Sequence, residues 1–166
     1  MEAAVALFAE RPLEQITLAD VAQRAGVGLQ TLIRRVQTKD GLIRASNEWT
    51  GARIGAARGE PGSSDPDVVA AALERQYEPW GALIIRALRQ EELSPALAEG
   101  AQAGRVAHRQ WVDIAFAAQI AERGPRLRAQ LIAVCGVELW MVLRSDVGLS
   151  PDETRDTVAD MIRRLI

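Results

Sequence analysis

The residues best suited to chemistry in this sequence are a group of hydrogen-bond donors within residues 30–39. Every charged side chain from Val21 to Lys39 is basic, although the whole chain carries a net charge of −2. The group consists of Gln30, Thr31, Arg34, Arg35 and Lys39. Arginine and glutamine can make paired hydrogen bonds to base edges, whereas threonine and lysine bond phosphate oxygens. The group therefore predicts contact with double-stranded DNA.

The spacing of apolar residues predicts that most of this group lies on one face of a helix beginning after Gly28. The apolar stripe of that helix is formed by Leu29, Leu32, Ile33 and Val36. Thr31, Arg34 and Arg35 are then i, i+3 and i+4 neighbours on another face. Spacing alone leaves a second interpretation open, in which Arg34 and Arg35 only solvate an exposed helix.

A shorter helix is predicted just before the basic one. Thr17 and Asp20 have the spacing of an amino-terminal capping box, and Gly26 has the residue type that ends helices in the left-handed conformation. Lys39 follows Thr38, which is predicted to cap a further helix. Two short helices joined by a glycine turn, the second one basic, are typical of a helix-turn-helix that places its second helix in the major groove.

The segments AAVALFAERP and TLADVAQRAGVGLQTLIRRVQTKDGL resemble, in that order, the DNA-binding domain of the TetR family of bacterial transcriptional regulators. The matching positions are Leu7, Phe8, Ala22, Ala25, Gly26, Val27, Thr31, Leu32, Arg34, Lys39, Asp40 and Leu42. The resemblance implies phosphate contacts from Thr31 and Lys39. Base contacts by Gln30, Arg34 or Arg35 are inferred from the face they share. A ligand-responsive repressor that binds a near-palindromic operator as a homodimer is the implied function.

Four residues depart from the family pattern in the second helix. Ile33, Arg35 and Val36 stand where the family commonly has an aromatic residue, a histidine or tyrosine, and a phenylalanine, and Gly28 replaces the usual serine cap. A tyrosine contact to phosphate is therefore absent. These departures keep open a rival interpretation: a helical small-molecule-binding or dimerising protein whose degenerate helix-turn-helix no longer reads DNA.

The chain as a whole is predicted to be all-α, because spacings of three and four residues recur and alternating strand patterns are absent. We expect a helix-turn-helix domain over residues 1–45, with the completeness of its first helix left open, and a larger effector-binding and dimerisation domain over residues 46–166. The Gly, Ser and Pro-rich segment over residues 59–66 is the predicted linker. Helix breaks are expected at Gly100 and Gly104, and a helix stop at Gly124-Pro125.

The larger domain contains three tryptophans on different predicted helices, which indicate an apolar effector pocket. Small residues such as Ala115 lie near Trp111 on its helix, so packing there is expected to leave space. The pocket is predicted to be lined by Trp80, Ile84, His108, Trp111, Ala115, Glu138 and Trp140. The alternative is that these tryptophans are simply core residues.

A homodimer is predicted from excess apolar surface in the last part of the chain. A single apolar helix from about Leu127 to Leu143 and a striped last helix, which begins at a predicted capping box of Ser150 and Glu153, are expected to pack against their copies as a four-helix bundle. The residues predicted at this interface are Leu139, Val142, Val158, Met161, Ile162 and Leu165.

Composition and missing motifs argue against other classes of protein. One cysteine and one histidine provide no metal cluster, and no nucleotide-binding loop, zinc-protease motif or serine-hydrolase motif occurs. We therefore expect no enzymatic activity, no cofactor and no metal. Residues 1–58 contain eight basic and six acidic residues, so the excess of acids lies in the rest of the chain. No segment is long and apolar enough to span a bilayer, and a cytoplasmic location is expected.

Overall fold

The fold is entirely helical, as predicted. A computed structural model describes all 166 residues and contains nine α-helices and no strand. The helices are α1 Glu2–Glu10, α2 Leu18–Arg24, α3 Leu29–Val36, α4 Lys39–Arg58, α5 Pro66–Arg89, α6 Pro95–Ala115, α7 Ala117–Val134, α8 Val137–Met141 and α9 Pro151–Leu165. Short 3₁₀ turns occupy Leu13–Gln15 and Glu91–Leu93, and a π-helical turn follows α8 over Val142–Val147. None of the helices has the length and apolar character needed to cross a membrane.

Local capping signals act as predicted at two helix starts. The Thr17 hydroxyl accepts the Asp20 amide N–H at 3.1 Å, and the Asp20 carboxylate accepts the Thr17 amide N–H at 2.8 Å. Ser150 and Glu153 form the same reciprocal pair at the start of α9. Each box satisfies amide groups that lack a partner within the helix, so both boundaries are fixed by nearby residues.

Helix breaks are only partly as predicted. The stop at Gly124 is confirmed, because this residue has φ +77° and divides α7 into two helical segments. The predicted breaks at Gly100 and Gly104 are wrong, since α6 is continuous. A Cβ atom at Gly100 would overlap the Asn47 side chain, so glycine there allows close packing rather than a break.

The predicted single helix from about Leu127 to Leu143 is also wrong. The chain leaves the helix after Val134, and α8 begins at Val137 after a turn at Cys135 and Gly136. The Tyr77 hydroxyl donates to the Cys135 carbonyl at 3.0 Å. A hydrogen bond from a distant helix thus compensates for the carbonyl that the break removes from the helical ladder.

The chain packs as two compact units. The first unit comprises residues 1–53 and 83–103, and the second comprises residues 54–82 and 104–166. Residues 59–65 connect α4 to α5 within the second unit. One core of the first unit is formed by Ala4, Leu7, Ile16, Val21, Ala22, Leu32, Val36 and Leu42. The largest fully buried side chains of the second unit include Leu73, Phe116, Leu131, Trp140 and Ile162.

Candidate nucleic-acid interface

Helix α3 is anchored by two of its apolar residues. Leu32 and Val36 are buried in the core that also contains Val21 and Ala22 of α2. The predicted stripe is too wide, because Leu29 is 39% exposed and Ile33 is only partly buried. A narrow anchor on an eight-residue helix leaves most of its circumference exposed.

The turn between α2 and α3 depends on Gly26. This residue has φ +66°, and the amide of Val27 donates to the Ala22 carbonyl at 3.0 Å. Glycine adopts this left-handed conformation without steric cost, which allows the chain to close α2 and begin α3 at once. The predicted helix, glycine turn and second helix are therefore present.

The exposed face of α3 carries four of the five predicted DNA-binding residues. Gln30, Thr31, Arg34 and Arg35 are all exposed. Neither Arg34 nor Arg35 has a hydrogen-bond or ion-pair partner in the chain. Both lie in the last turn of α3, where the helix dipole favours cations. Their guanidinium groups are therefore free to meet an external acceptor.

The other two basic residues of this region do have partners. Arg24 pairs with Glu10 at 2.6 Å between Nη1 and Oε2. The Lys39 ammonium, at the start of α4, donates to the Leu13 carbonyl at 2.6 Å. A lysine has three N–H donors, so Lys39 retains two for a phosphate. Among the four basic residues from Val21 to Lys39, only Arg34 and Arg35 are without internal partners.

Carboxylates near the start of the chain are engaged elsewhere. Hydrogen bonding from Arg24 lowers the pKa of Glu10, and hydrogen bonds from Thr17 lower the pKa of Asp20. Asp40 accepts a hydrogen bond from the Ser94 hydroxyl at 2.8 Å. None of these acids pairs with Arg34 or Arg35, so the positive charge of α3 is not neutralised by them.

The junction between α3 and α4 is tightly fixed. Gln37 has φ +62°, and the Thr38 amide donates to the Val36 carbonyl at 2.7 Å. The Thr38 hydroxyl accepts the Gly41 amide N–H at 3.0 Å, which confirms the predicted cap. A Cβ atom at Gly41 would overlap the Val36 carbonyl oxygen. The importance of Gly41 was missed, because the contact depends on the angle between two helices.

This arrangement defines a class of protein, the helix-turn-helix DNA-binding proteins. Comparison of sequences is more specific: residues 1–46 match the profile of the family described as bacterial regulatory proteins, tetR family. Residues 1–46 therefore form a TetR-type amino-terminal domain, in agreement with the resemblance seen in the quoted motif.

The fold of the whole chain has a solved counterpart. A crystal structure of a TetR transcriptional regulator from Rhodococcus sp. RHA1 is similar with a TM-score of 0.54 and 23% sequence identity. The match covers 99% of this chain and 91% of that chain. At 23% identity, this similarity is evidence for a shared fold and not for a shared function. No curated protein matches the sequence significantly.

The predicted effector residues fall in both compact units. Ile84 belongs to the first unit, and the others belong to the second. Trp140 is fully buried and its indole N–H donates to Glu78 at 2.9 Å, whereas Trp80 is only partly buried. Ala115 is buried and Glu138 is exposed. Two surface depressions of about 260 and 290 Å³ are lined by none of the predicted pocket residues.

His108 and Trp111 both contact Arg58, which sequence reasoning missed. His108 Nε2 lies 2.9 Å from the Ile132 carbonyl, and Nδ1 lies 3.2 Å from Arg58 Nη1. A carbonyl only accepts and a guanidinium only donates, so this histidine is neutral with its proton on Nε2. Burial lowers the pKa of His108. Nothing in the sequence singles out Arg58, because an arginine ending a helix is usually solvated.

The predicted dimer residues divide into two groups. Val158 and Ile162 are fully buried within the single chain, which corrects their assignment to an intermolecular surface. Val142 and Met161 are 45% and 38% exposed. Leu139 and Leu165 are partly buried. Sequence periodicity identified apolar helical faces but did not separate the part that the chain itself covers.

Proposed function

We propose that the protein is a ligand-responsive transcriptional repressor that binds a near-palindromic DNA operator as a homodimer in the cytoplasm. The observation that carries this proposal is the exposure of Arg34 and Arg35, without internal partners, on α3, the second helix of the helix-turn-helix in a TetR-type domain. A buried or internally paired arginine would have to be released before it could bind DNA. These two need no such release.

In this mode of binding, α3 enters the major groove. Gln30, Arg34 and Arg35 contact base edges, and Thr31 and Lys39 contact phosphates. Phosphate contacts fix the register of the helix, whereas base contacts provide specificity. The missing aromatic residues of α3 reduce the number of phosphate contacts but leave this basic face intact.

The direct experiment is selection from random duplex DNA with the purified protein, followed by affinity measurements over a range of salt concentrations. We expect a near-palindromic site and an affinity that falls steeply with salt, because phosphate contacts release counterions. Absence of binding at low salt, or equal affinity for every sequence, would contradict operator recognition. That result would favour the rival interpretation of a degenerate helix-turn-helix.

The proposed dimer uses exposed apolar residues at the end of the chain. Val142 and Met161 project apolar surface to the outside. Leu139, on α8 just before Val142, and Leu165, on α9 with Met161, are partly buried. A two-fold partner that covers this surface in a four-helix bundle would remove it from water. Val158 and Ile162 support these helices from inside the chain.

We expect Met161→Glu to shift the protein towards monomer at micromolar concentration, because a carboxylate in an apolar interface loses its hydration without gaining a partner. Sedimentation velocity measures the shift. Val68→Glu is the matched control, since Val68 is also an exposed apolar residue but lies on α5 outside the proposed interface. A Met161→Glu protein that sediments like wild type would exclude this surface as the interface.

The effector site that we propose lies in the second unit, around Trp80, His108, Trp111, Ala115, Glu138 and Trp140. An effector must bind one state of the repressor better than the other to change DNA affinity. By linkage, operator DNA must then weaken effector binding by the same factor. Effector binding without this reciprocity would indicate a binding site with no regulatory coupling.

A further inference from the structure

Arg58 is a buried cation without a counter-ion. It is 5% exposed, at the end of α4. Its Nη1 contacts His108 Nδ1 at 3.2 Å, and its guanidinium carbon lies 3.8 Å from the centre of the Trp111 ring. Its Nε and Nη2 are buried and have no hydrogen-bond partner. Buried polar groups in folded proteins are nearly always paired, so these two donors require an explanation.

Residues near Arg58 do not supply the missing negative charge. Burial raises the pKa of the Cys135 thiol to about 12 and also raises the pKa of the Tyr77 hydroxyl. Both groups are therefore neutral at pH 7. Glu138 is exposed and forms no ion pair with Arg58. A guanidinium cannot lose its proton under these conditions, so a charge stays buried without compensation.

The two unpartnered nitrogens have the geometry of a carboxylate fork. Nε and Nη2 are the atoms with which Arg128 binds both oxygens of Asp113, at 2.6 and 2.8 Å. Arg44 binds Glu99 with the same two atoms, at 2.8 and 3.0 Å. Arginine forks match planar two-oxygen acceptors, which favours carboxylate over single-point acceptors.

We infer that the effector is a small apolar carboxylic acid whose carboxylate binds Nε and Nη2 of Arg58 in the second unit. This inference rests on the proposed repressor function and specifies its ligand. The remainder of the ligand is apolar, because the groups beside Arg58 include the Trp111 ring and the buried Tyr77 and Cys135 side chains. Trp111 covers one face of the guanidinium, and its indole N–H donates to the Gly59 carbonyl in an exposed hydrogen bond. Because both free nitrogens of Arg58 are buried, we expect the acid to enter by displacing Trp111.

The test compares acids with amides of the same shape on the purified 166-residue protein. The pairs are benzoate with benzamide, phenylacetate with phenylacetamide, and octanoate with octanamide, and inorganic phosphate tests for unselective anion binding. Isothermal titration and tryptophan fluorescence measure binding. We expect at least one acid to bind ten-fold or more tightly than its amide, to raise the Tm and to change Trp111 fluorescence. Equal affinities within every pair, or binding of phosphate as tight as that of the acids, would overturn the inference.

Variants assign the preference to Arg58. Arg58→Met should abolish the preference for the acid and leave the Tm of the free protein unchanged or higher, because no unpaired charge is then buried. Arg53→Met is the matched control: the Arg53 guanidinium also lies over an indole, at 3.7 Å from the Trp49 ring, but Arg53 is exposed. An Arg58→Met protein that retains the preference would overturn the assignment. The acid-to-amide comparison in the wild-type protein remains decisive if this variant does not fold.

DNA binding by the wild-type protein without any added acid is measured in parallel. Its absence would refute the repressor function, whereas the acid-to-amide comparison would still test Arg58 independently. Release of DNA by the preferred acid, and not by its amide, is the result expected of an effector. Acid binding at Arg58 that leaves DNA affinity unchanged would overturn the effector role.

Discussion

Replacement of either Arg34 or Arg35 by alanine should weaken operator binding by about 1–3 kcal/mol and relax the base preference at the position that the arginine contacts. Both side chains are exposed on α3 and unpartnered. They therefore lose no internal bond on meeting guanine. The double variant should lose most discrimination between the operator and unrelated duplexes, because Gln30 alone then remains to read bases on this face.

The measurement is a comparison of affinities for the operator and for variants changed at single base pairs, at several salt concentrations. Lys39→Met should weaken binding to all sequences alike and reduce the salt slope by about one, since it removes a phosphate contact. Arg53→Ala removes an exposed arginine outside α3 and controls for loss of net charge. If Arg34→Ala and Arg35→Ala weakened all duplexes equally, the two arginines would contact phosphates, and unchanged binding would mean that they only solvate α3.

Stability separates the arginine variants from the lysine variant. Arg34 and Arg35 contribute only their interaction with the carboxyl end of α3, about 0.3–1 kcal/mol each. Lys39 also loses the hydrogen bond to the Leu13 carbonyl. Urea unfolding should therefore show near wild-type stability for the arginine variants, so that their loss of DNA affinity cannot be attributed to unfolding.

The elements predicted correctly from sequence are those controlled by neighbouring residues. The capping boxes at Thr17 and Ser150, the left-handed conformation of Gly26 and the helix stop at Gly124 depend on residues within three or four positions. Hydrogen bonds at this range act in any tertiary context. The all-α class follows because such signals divide the whole chain into helices.

The features that sequence did not predict depend on contacts between distant residues. The break at Cys135 is stabilised by Tyr77, and Gly100 accommodates Asn47. Val158 and Ile162 share a helical face with residues that remain accessible, and only the packed chain shows that they are covered. The exposed face of α3 was predictable because burial of Leu32 and Val36 orients the whole helix. The burial of Arg58 was not predictable from sequence, since it depends on contacts with residues of α6.

The second large effect is expected at Gly41, the third residue of α4. Gly41→Ala should destabilise the protein by about 1–3 kcal/mol or more, because the added methyl group overlaps the backbone carbonyl of Val36. A backbone atom cannot move aside as a flexible side chain can. The junction at Gln37 already has an unusual positive φ, so it has little room to adjust. The strain must therefore be relieved by a shift of α3, which also displaces the DNA-binding face.

Gly51→Ala is the matched control in the same helix. No atom lies within 4 Å of a Cβ atom at Gly51, so this variant should gain about 0.5–1 kcal/mol from the higher helix propensity of alanine. Urea unfolding of both variants measures the difference in stability, and operator affinity below the unfolding range reports the position of α3. Equal stabilisation of both variants would show that α4 does not approach Val36 this closely. A folded Gly41→Ala protein with lost operator affinity would show that the junction, and not only the basic residues of α3, determines whether the helix can reach the major groove.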